Sequence, residues 1–222
     1  MTLLDEPGPL LGTGRTADVY ALPDGRVLRR YRDGLDATGE LAVMARLFEH
    51  GYPVPRVWPG PHHHDLIMER LSGPTLAEAT AAGTVSADAA GELLVTHLRR
   101  LHAIPAQHSS DPSDRVLHMD FHPLNVMLTP DGPVVIDWAT ATEGPPALDR
   151  ATSALILAQA AVAFPEFAAL ARAVLPPFLR HLGPVDPAQL NHARDLRAGN
   201  PTLTPVEIAA LDEAMTLLAH LG

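Results

Sequence analysis

Two kinds of hydrophobic spacing divide this chain: short alternating runs between turn residues early on, and longer runs at helical spacing later. "DVYAL" and "RVLRRY" flank Pro23-Asp24-Gly25, which predicts a β-hairpin over residues 18–31. In "DATGELAVMARLFEHG", Leu41, Met44, Ala45, Leu47 and Phe48 recur at helical spacing, with Gly51 as the C-terminal stop. "YPVPRVWPG" reads as a connector, "HDLIMERL" as a further strand, and Ser72-Gly73-Pro74 as a break. "SADAAGELLVTHLRRLHAIP" is an amphipathic helix capped by Ser86, with Leu93, Leu94, His97, Leu98 and Leu101 on its inner face. "VML" and "VVI" form a second hairpin across Thr129–Pro133. Nearly everything after Asp149 reads as helices punctuated by Pro and Gly.

This order predicts an α+β, two-lobed chain. Residues 1–71 form a small lobe of antiparallel strands with one helix, and residues 72–222 a larger, mainly helical lobe beyond a connector near 70–75. A cleft between two such lobes is a natural place for a ligand. The most apolar window, "ATSALILAQAAVAF" at 151–164, is too short to span a bilayer and carries Gln159, so it reads as a buried helix.

Composition narrows the function. With 46% hydrophobic and 19% charged residues the chain is globular. Its net charge of −10 argues against nucleic acid as a partner. Acidity suits a cationic substrate, although solubility alone explains it equally well. The absence of cysteine excludes disulfides, thiolate metal sites and a cysteine nucleophile. "MTLLDEPGPL" lacks a basic region followed by an apolar run, so no signal peptide, no membrane partner and a cytoplasmic location are expected.

The densest chemistry lies in "HMDFHPLNVMLTPDGPVVIDW", His118–Trp138. Asn125 enters the first strand of the second hairpin and Asp137 leaves the second strand, so both are expected at its open end, with Asp120 on the loop feeding it. Asp and Asn oxygens are hard ligands suited to Mg²⁺, and a nearby free Asp can orient a hydroxyl and accept its proton. A competing reading takes His118, Asp120 and His122 as zinc ligands. It leaves Asn125 and Asp137 unexplained, and histidines that merely brace the loop are the simpler account. His62, His63 and His64, beside Pro61, read as exposed loop residues.

"LGTGRTADVY" supplies Gly12 and Gly14, with Ala17 where a third glycine of a GxGxxG pattern would fall. A dinucleotide fold needs a helix after such glycines; here a strand, a tight turn and another strand follow, as in a phosphate-covering flap. Arg29 shares a strand face with Val27 and Tyr31 and is the candidate phosphate cation, though Arg29 and Arg30 also suit an ordinary surface strand. Glu40 is its candidate ion-pair partner, or an exposed acid complementing a helix dipole.

Together these residues resemble the aminoglycoside phosphotransferase and choline-kinase-like branch of the protein-kinase-like fold. The resemblance runs through "LGTGRTADVY", "VLRRY", Glu40, "GYPVPRV", "DLIMERLSGPTL", "LRRLHAIP", "HMDFHPLNVML", "VVIDW" and Asp149. Its specific part is the HxDxxxxN string with "IDW" placing Asp137 twelve residues after Asn125. The resemblance implies a phosphotransferase using ATP, with GTP as the other nucleotide open to it, and Mg²⁺. Asp120 is then the catalytic base, and Asn125 and Asp137 hold the metal. Gly12 and Gly14 cover the phosphates, with Arg29 and Glu40 beside them, and Glu69 and Leu71 offer backbone groups to adenine. His118 braces the catalytic loop, and Asp149 supports that loop, faces substrate or simply opens a helix.

Two positions depart from the family pattern: Ala17 for the third glycine, and Arg29 where a lysine is expected. The second exchange is not conservative at a close phosphate contact. The implied acceptor is a hydroxyl of a small molecule such as an aminoglycoside-like antibiotic, a sugar or an amino alcohol. Glu143, Asp149, Asp195, Glu207, Asp212 and Glu213 would permit a cationic one. Arg29 motivates the alternative, a catalytically weak or inactive kinase-like regulatory module that binds nucleotide.

Overall fold

The structure, a computed structural model, describes residues 8–221; Met1–Pro7, on which the expectation of no leader largely rests, and Gly222 lie outside them. The chain divides into two compact units, the first Met1–Gly73 with Met127–Ala139, the second Pro74–Val126 with Thr140–Gly222.

The first unit contains β1 (Leu10–Thr13), β2 (Ala17–Leu22), β3 (Arg26–Tyr31), α1 (Thr38–Glu49), β4 (Val57–Pro59) and β5 (Asp65–Glu69). The strands form one antiparallel sheet in the order β1-β2-β3-β5-β4. The β2–β3 turn is the expected one: Asp24 and Gly25 take φ of 68° and 71°, a left-handed pair that Asp tolerates and Gly adopts freely. Register aligns Tyr20 with Leu28 and Leu28 with Ile67, and these side chains build an apolar cluster with Leu22.

Helix α1 ends as predicted. Gly51 is left-handed, its N–H donates to Phe48 O, and the Tyr52 N–H reaches back to Leu47 O, closing the helix in a Schellman motif. Its inner face differs from the expected one. Ala45 and Phe48 point outward, while Glu40 is buried with Met44 and Leu47. Helical periodicity locates a stripe, but a charged residue inside it is invisible to a hydrophobic count. The "connector" at 52–60 also contains a strand, β4, at the sheet edge, where Pro59 costs no ladder hydrogen bond to a further strand.

The second unit begins with α2 (Leu76–Ala81), α3 (Ala87–Leu101) and β6 (Arg115–Leu117). Helix α2 has no counterpart among the predicted elements, yet Thr75 and Glu78 close a reciprocal capping box around its first turn. Helix α3 is capped by Ser86, as predicted, and buries Ala90, Gly91, Leu94, Val95, His97, Leu98 and Leu101. A 3-10 turn at Pro123–Asn125 leads into β7 (Val126–Thr129), which pairs with β8 (Gly132–Val135) across Pro130 and Asp131. From Met127 this hairpin belongs to the first unit, where Gly73 (φ 133°) lies so close to Leu128 O that a Cβ would meet it at 2.0 Å.

The chain returns to the second unit with β9 (Thr142–Gly144), antiparallel to β6, followed by α4 (Pro146–Ala163), α5 (Pro165–Leu182), α6 (Pro187–Ala198), α7 (Pro205–Ala209) and α8 (Leu211–Leu221). Helix α4 contains the apolar window and is buried along most of its length; α5, α6 and α8 pack around it, and α3 packs on α5. No helix among the described residues is long and apolar enough to cross a membrane.

Candidate active site

In the first unit, the alternation that separates Leu28 from its neighbours turns Val27, Arg29 and Tyr31 to the opposite sheet face. There Arg29 NH1 lies 3.3 Å from Glu40 Oε1, and Arg29 NH2 donates to Asp137 Oδ1 at 2.7 Å. Glu40 also accepts from Tyr31 OH at 2.5 Å and from the Trp138 N–H at 3.0 Å. Its side chain is only 2% exposed, so the reading of an exposed first-turn acid is set aside.

Burial pushes the Glu40 carboxyl upward, and Arg29 and Tyr31 pull against that rise. Burial works against the Arg29 cation too, but Glu40 and Asp137 outweigh it and hold the guanidinium charged. The Arg29 fork carries more donors than these acceptors satisfy: its buried Nε has no hydrogen-bond partner among the described residues. Asp137, left-handed at φ 65°, has a side chain 41% exposed, and among the described residues only its Oδ1 is engaged.

The glycine flap is the β1–β2 hairpin. Gly12 lies in β1 with nothing within 4 Å of the place a Cβ would occupy, and neither Gly12 nor Gly14 has positive φ. Their small size is therefore not demanded by backbone conformation. Arg32, which no sequence motif marks, ties the turn down by donating to Gly14 O and Arg15 O while pairing with Asp18. A cation one residue past a strand carries no signature that separates this role from ordinary solvation. At the other end of the sheet, the Glu69 N–H is committed to Arg56 O, whereas the Leu71 backbone makes no hydrogen bond among the described residues.

In the second unit, the loop after β6 is built around buried Asp149. This carboxylate accepts the His118 N–H at 3.0 Å, the Met119 N–H at 2.8 Å and His102 Nε2 at 2.9 Å. Burial opposes the charge, but these bonds and the neighbouring histidines hold the Asp149 pKa below its ordinary value. Met119 is left-handed at φ 64°, a conformation costly for a bulky side chain and held here by its bond to Asp149. His118 is fully buried; its Nδ1 accepts the Asp120 N–H at 3.2 Å, and its ring packs edge-on against Phe121.

Asp120 therefore projects from a loop with little freedom. Its Oδ2 lies 3.6 Å from His122 Nε2, and its Oδ1 3.8 Å from Arg197 NH1. Burial works to raise its pKa, but His122, His118 and Arg197 outweigh this and hold it down at about 2. Asn125 Nδ2 donates to Asp120 O at 2.8 Å and also faces Asp120 Oδ2 and His122. With the amide nitrogen so engaged, Asn125 Oδ1 accepts no hydrogen bond among the described residues. Arg197 is absent from the predicted site, since it comes from α6, far along the chain, in a segment with no motif.

These donors suit a hard cation. The unbonded Asn125 amide oxygen of the second unit and the Asp137 carboxylate of the first are each the kind of hard oxygen that Mg²⁺ takes one or two of, completing its shell with water and phosphate. No three His, Cys, Asp or Glu side chains among the described residues group to hold a metal, so the zinc trio His118, Asp120 and His122 finds no support. Most of the acids considered for a cationic acceptor already have structural work. Glu143 accepts from three backbone N–H groups, Glu207 closes the Thr204 capping box, and Asp195 and Asp212 pair with Arg194.

The family model of the phosphotransferase enzyme family matches residues 9–115 and 109–187. No curated protein matches the chain. Among solved structures, the streptomycin–ATP ternary complex of APH(2")-IIa is 16% identical, with a TM-score of 0.56, covering 88% of this chain and 83% of that one. Aminoglycoside phosphotransferase APH(3'')-Id from Streptomyces rimosus is 17% identical at a TM-score of 0.57, with 93% and 92% covered. Choline kinase LicA from Streptococcus pneumoniae is 15% identical at 0.52, with 97% and 93% covered. The fold is thus α+β and kinase-like. Matched by its family model over more than half its length, the chain belongs to the phosphotransferase enzyme family and is a kinase-type phosphotransferase.

Proposed function

We propose that this enzyme transfers the γ-phosphoryl group of ATP, with Mg²⁺, to a hydroxyl of a small molecule. The observation that carries this reading is the Asp120–Asn125 arrangement: an ionised carboxylate with one oxygen unbonded, beside an amide whose nitrogen is engaged and whose oxygen is not. Bound MgATP supplies the phosphoryl group and neutralises charge developing on it.

The chain's own residues do the rest. Asp120 Oδ1 accepts a hydrogen bond from the acceptor hydroxyl and orients its oxygen for in-line attack. A carboxylate held near a pKa of about 2 is a weak base, so its main service is orientation, and the proton moves to it late. Asn125 and Asp137 are the metal ligands. Gly12 and Gly14 cover the phosphates, the Leu71 backbone with Glu69 meets adenine, and Arg29, oriented by Glu40, supplies positive charge. His118 and Asp149 hold the loop. The ATP and AMP-PNP complexes of fold relatives support an adenine nucleotide. Relatives named for aminoglycosides, choline and amicoumacin support a small-molecule acceptor.

A second reading rests on Arg29: because its guanidinium is already paired with Asp137, the chain would bind nucleotide without transferring phosphate. Calorimetric titration with ATP and GTP, with and without Mg²⁺, followed by a phosphate-transfer screen over neutral and cationic alcohols, separates the two. Mg-dependent binding with transfer that Asp120→Asn abolishes supports the enzyme; binding with no transfer to any acceptor supports the regulatory module. Absence of binding to either nucleotide overturns both.

A further inference from the structure

We propose that Arg197 on α6 is a positioning residue that fixes the carboxylate of Asp120, and that Gln159 on α4 holds Arg197 for this purpose. The inference rests on the assignment of Asp120 as the residue that receives the acceptor hydroxyl.

The contacts form a continuous chain. Arg197 Nε and NH2 both donate to Gln159 Oε1, at 3.0 and 2.8 Å. Gln159 is fully buried, and its Nε2 donates to Glu207 O at 2.7 Å, in the first turn of α7. The Arg197 side chain is only 13% exposed and presents NH1 at 3.8 Å from Asp120 Oδ1. That separation is an ion pair beyond hydrogen-bond reach, so the oxygen is held by charge without its lone pairs being consumed. The other oxygen, Oδ2, faces His122 at 3.6 Å and Asn125 at 3.4 Å. The two sides of the carboxylate thus face groups from different elements, and its rotation is restrained while Oδ1 accepts no hydrogen bond among the described residues. Arginine suits the place because a planar fork can grip Gln159 with two donors and aim the third nitrogen elsewhere; a lysine offers one point charge.

The test uses Arg197→Met, Arg197→Lys, Gln159→Leu and Asp120→Asn in the full chain. The primary readout is phosphate release from MgATP with water as acceptor, split into kcat and KM, with MgATP affinity followed by calorimetry. In Arg197→Met, kcat is expected to fall roughly 10- to 100-fold while KM and MgATP affinity stay unchanged. Arg197→Lys keeps the charge but not the fork and recovers only part of that kcat, and Gln159→Leu, which leaves Arg197 in place, lowers kcat likewise. Wild-type kcat in folded Arg197→Met overturns the inference. Should that variant not fold, wild-type kcat in Arg197→Lys overturns it. Loss of activity in Asp120→Asn with wild-type rates in the Arg197 variants sinks this inference alone. Unchanged phosphate release in Asp120→Asn removes the assignment of Asp120 itself, and the inference with it.

Discussion

Arg29 donates to the Asp137 carboxylate at 2.7 Å, joining positions 108 apart in the chain. The bond ties the strand that follows the glycine flap to the residue proposed as a metal ligand, and Glu40 completes the cluster from α1. The guanidinium aims separate nitrogens at the two carboxylates, whereas a lysine would meet both with one compact ammonium.

Removing that charge should therefore be felt in stability. Arg29→Met leaves Glu40 buried without its cation and is expected to cost about 3–5 kcal/mol in urea denaturation. Arg29→Lys should cost less, because the buried carboxylate keeps a positive charge beside it. Equal stability of wild type and Arg29→Met would show that the cluster contributes nothing net.

Asp137→Asn keeps an oxygen for Arg29 but loses the charge proposed to face the metal. MgATP affinity should drop roughly 10- to 100-fold by calorimetry, while affinity for ATP in EDTA stays nearly the same. Parallel losses with and without Mg²⁺ would remove Asp137 from the metal site.

Asp120 is held at about 2, so it is already ionised throughout the working range. Between pH 5 and 9 the rate profile should show no acidic limb from this residue, and Asp120→Asn should lower turnover by ~10²–10⁴ with MgATP binding retained. An acidic limb that disappears in Asp120→Asn would contradict this.

Asp149 sets a different pH dependence. Its folded pKa lies below the unfolded value of about 3.9, so the unfolded chain takes up the proton first on acidification. Its contribution to stability is full above that unfolded value and is lost as pH falls through the folded one. Denaturant titrations should show wild type losing more stability than Asp149→Asn on going from pH 6 to 3. At pH 7 Asp149→Ala should cost at least about 3 kcal/mol, since the His118 and Met119 N–H groups and His102 lose their acceptor.

Gly91 offers a test of packing alone. A methyl there would gain up to about 1 kcal/mol of helix propensity on α3. It would also stand 2.7 Å from the backbone N of Phe178 on α5, where no side chain can rotate away. Gly91→Ala should therefore destabilise by about 1–3 kcal/mol, and a rise in Tm would refute the close approach.

Local chemistry was readable where its cause is local. The β2–β3 hairpin follows from Pro23-Asp24-Gly25, the end of α1 from Gly51, and the start of α3 from Ser86, because turn and cap preferences act within a few residues. The same rule offered Thr75-x-x-Glu78 as a capping box, and α2 was there to be read. The HxDxxxxN string with its later Asp137 likewise pointed to phosphate chemistry, since loop spacing limits what those side chains can do.

What the sequence by itself determined is thus the order of elements, their caps and the kind of chemistry. Whether a carboxylate is buried, and which cations and donors surround it, was decided only by tertiary structure. Glu40 reads equally as a partner of Arg29 or as a surface acid until α1 turns it inward to Arg29, Tyr31 and Trp138. Arg197 reads as one basic residue among many until α6 brings it to Asp120, 3.8 Å away. Propensity and periodicity act over one or two turns, whereas an ion pair depends on burial and distance in space, which only the packed chain supplies.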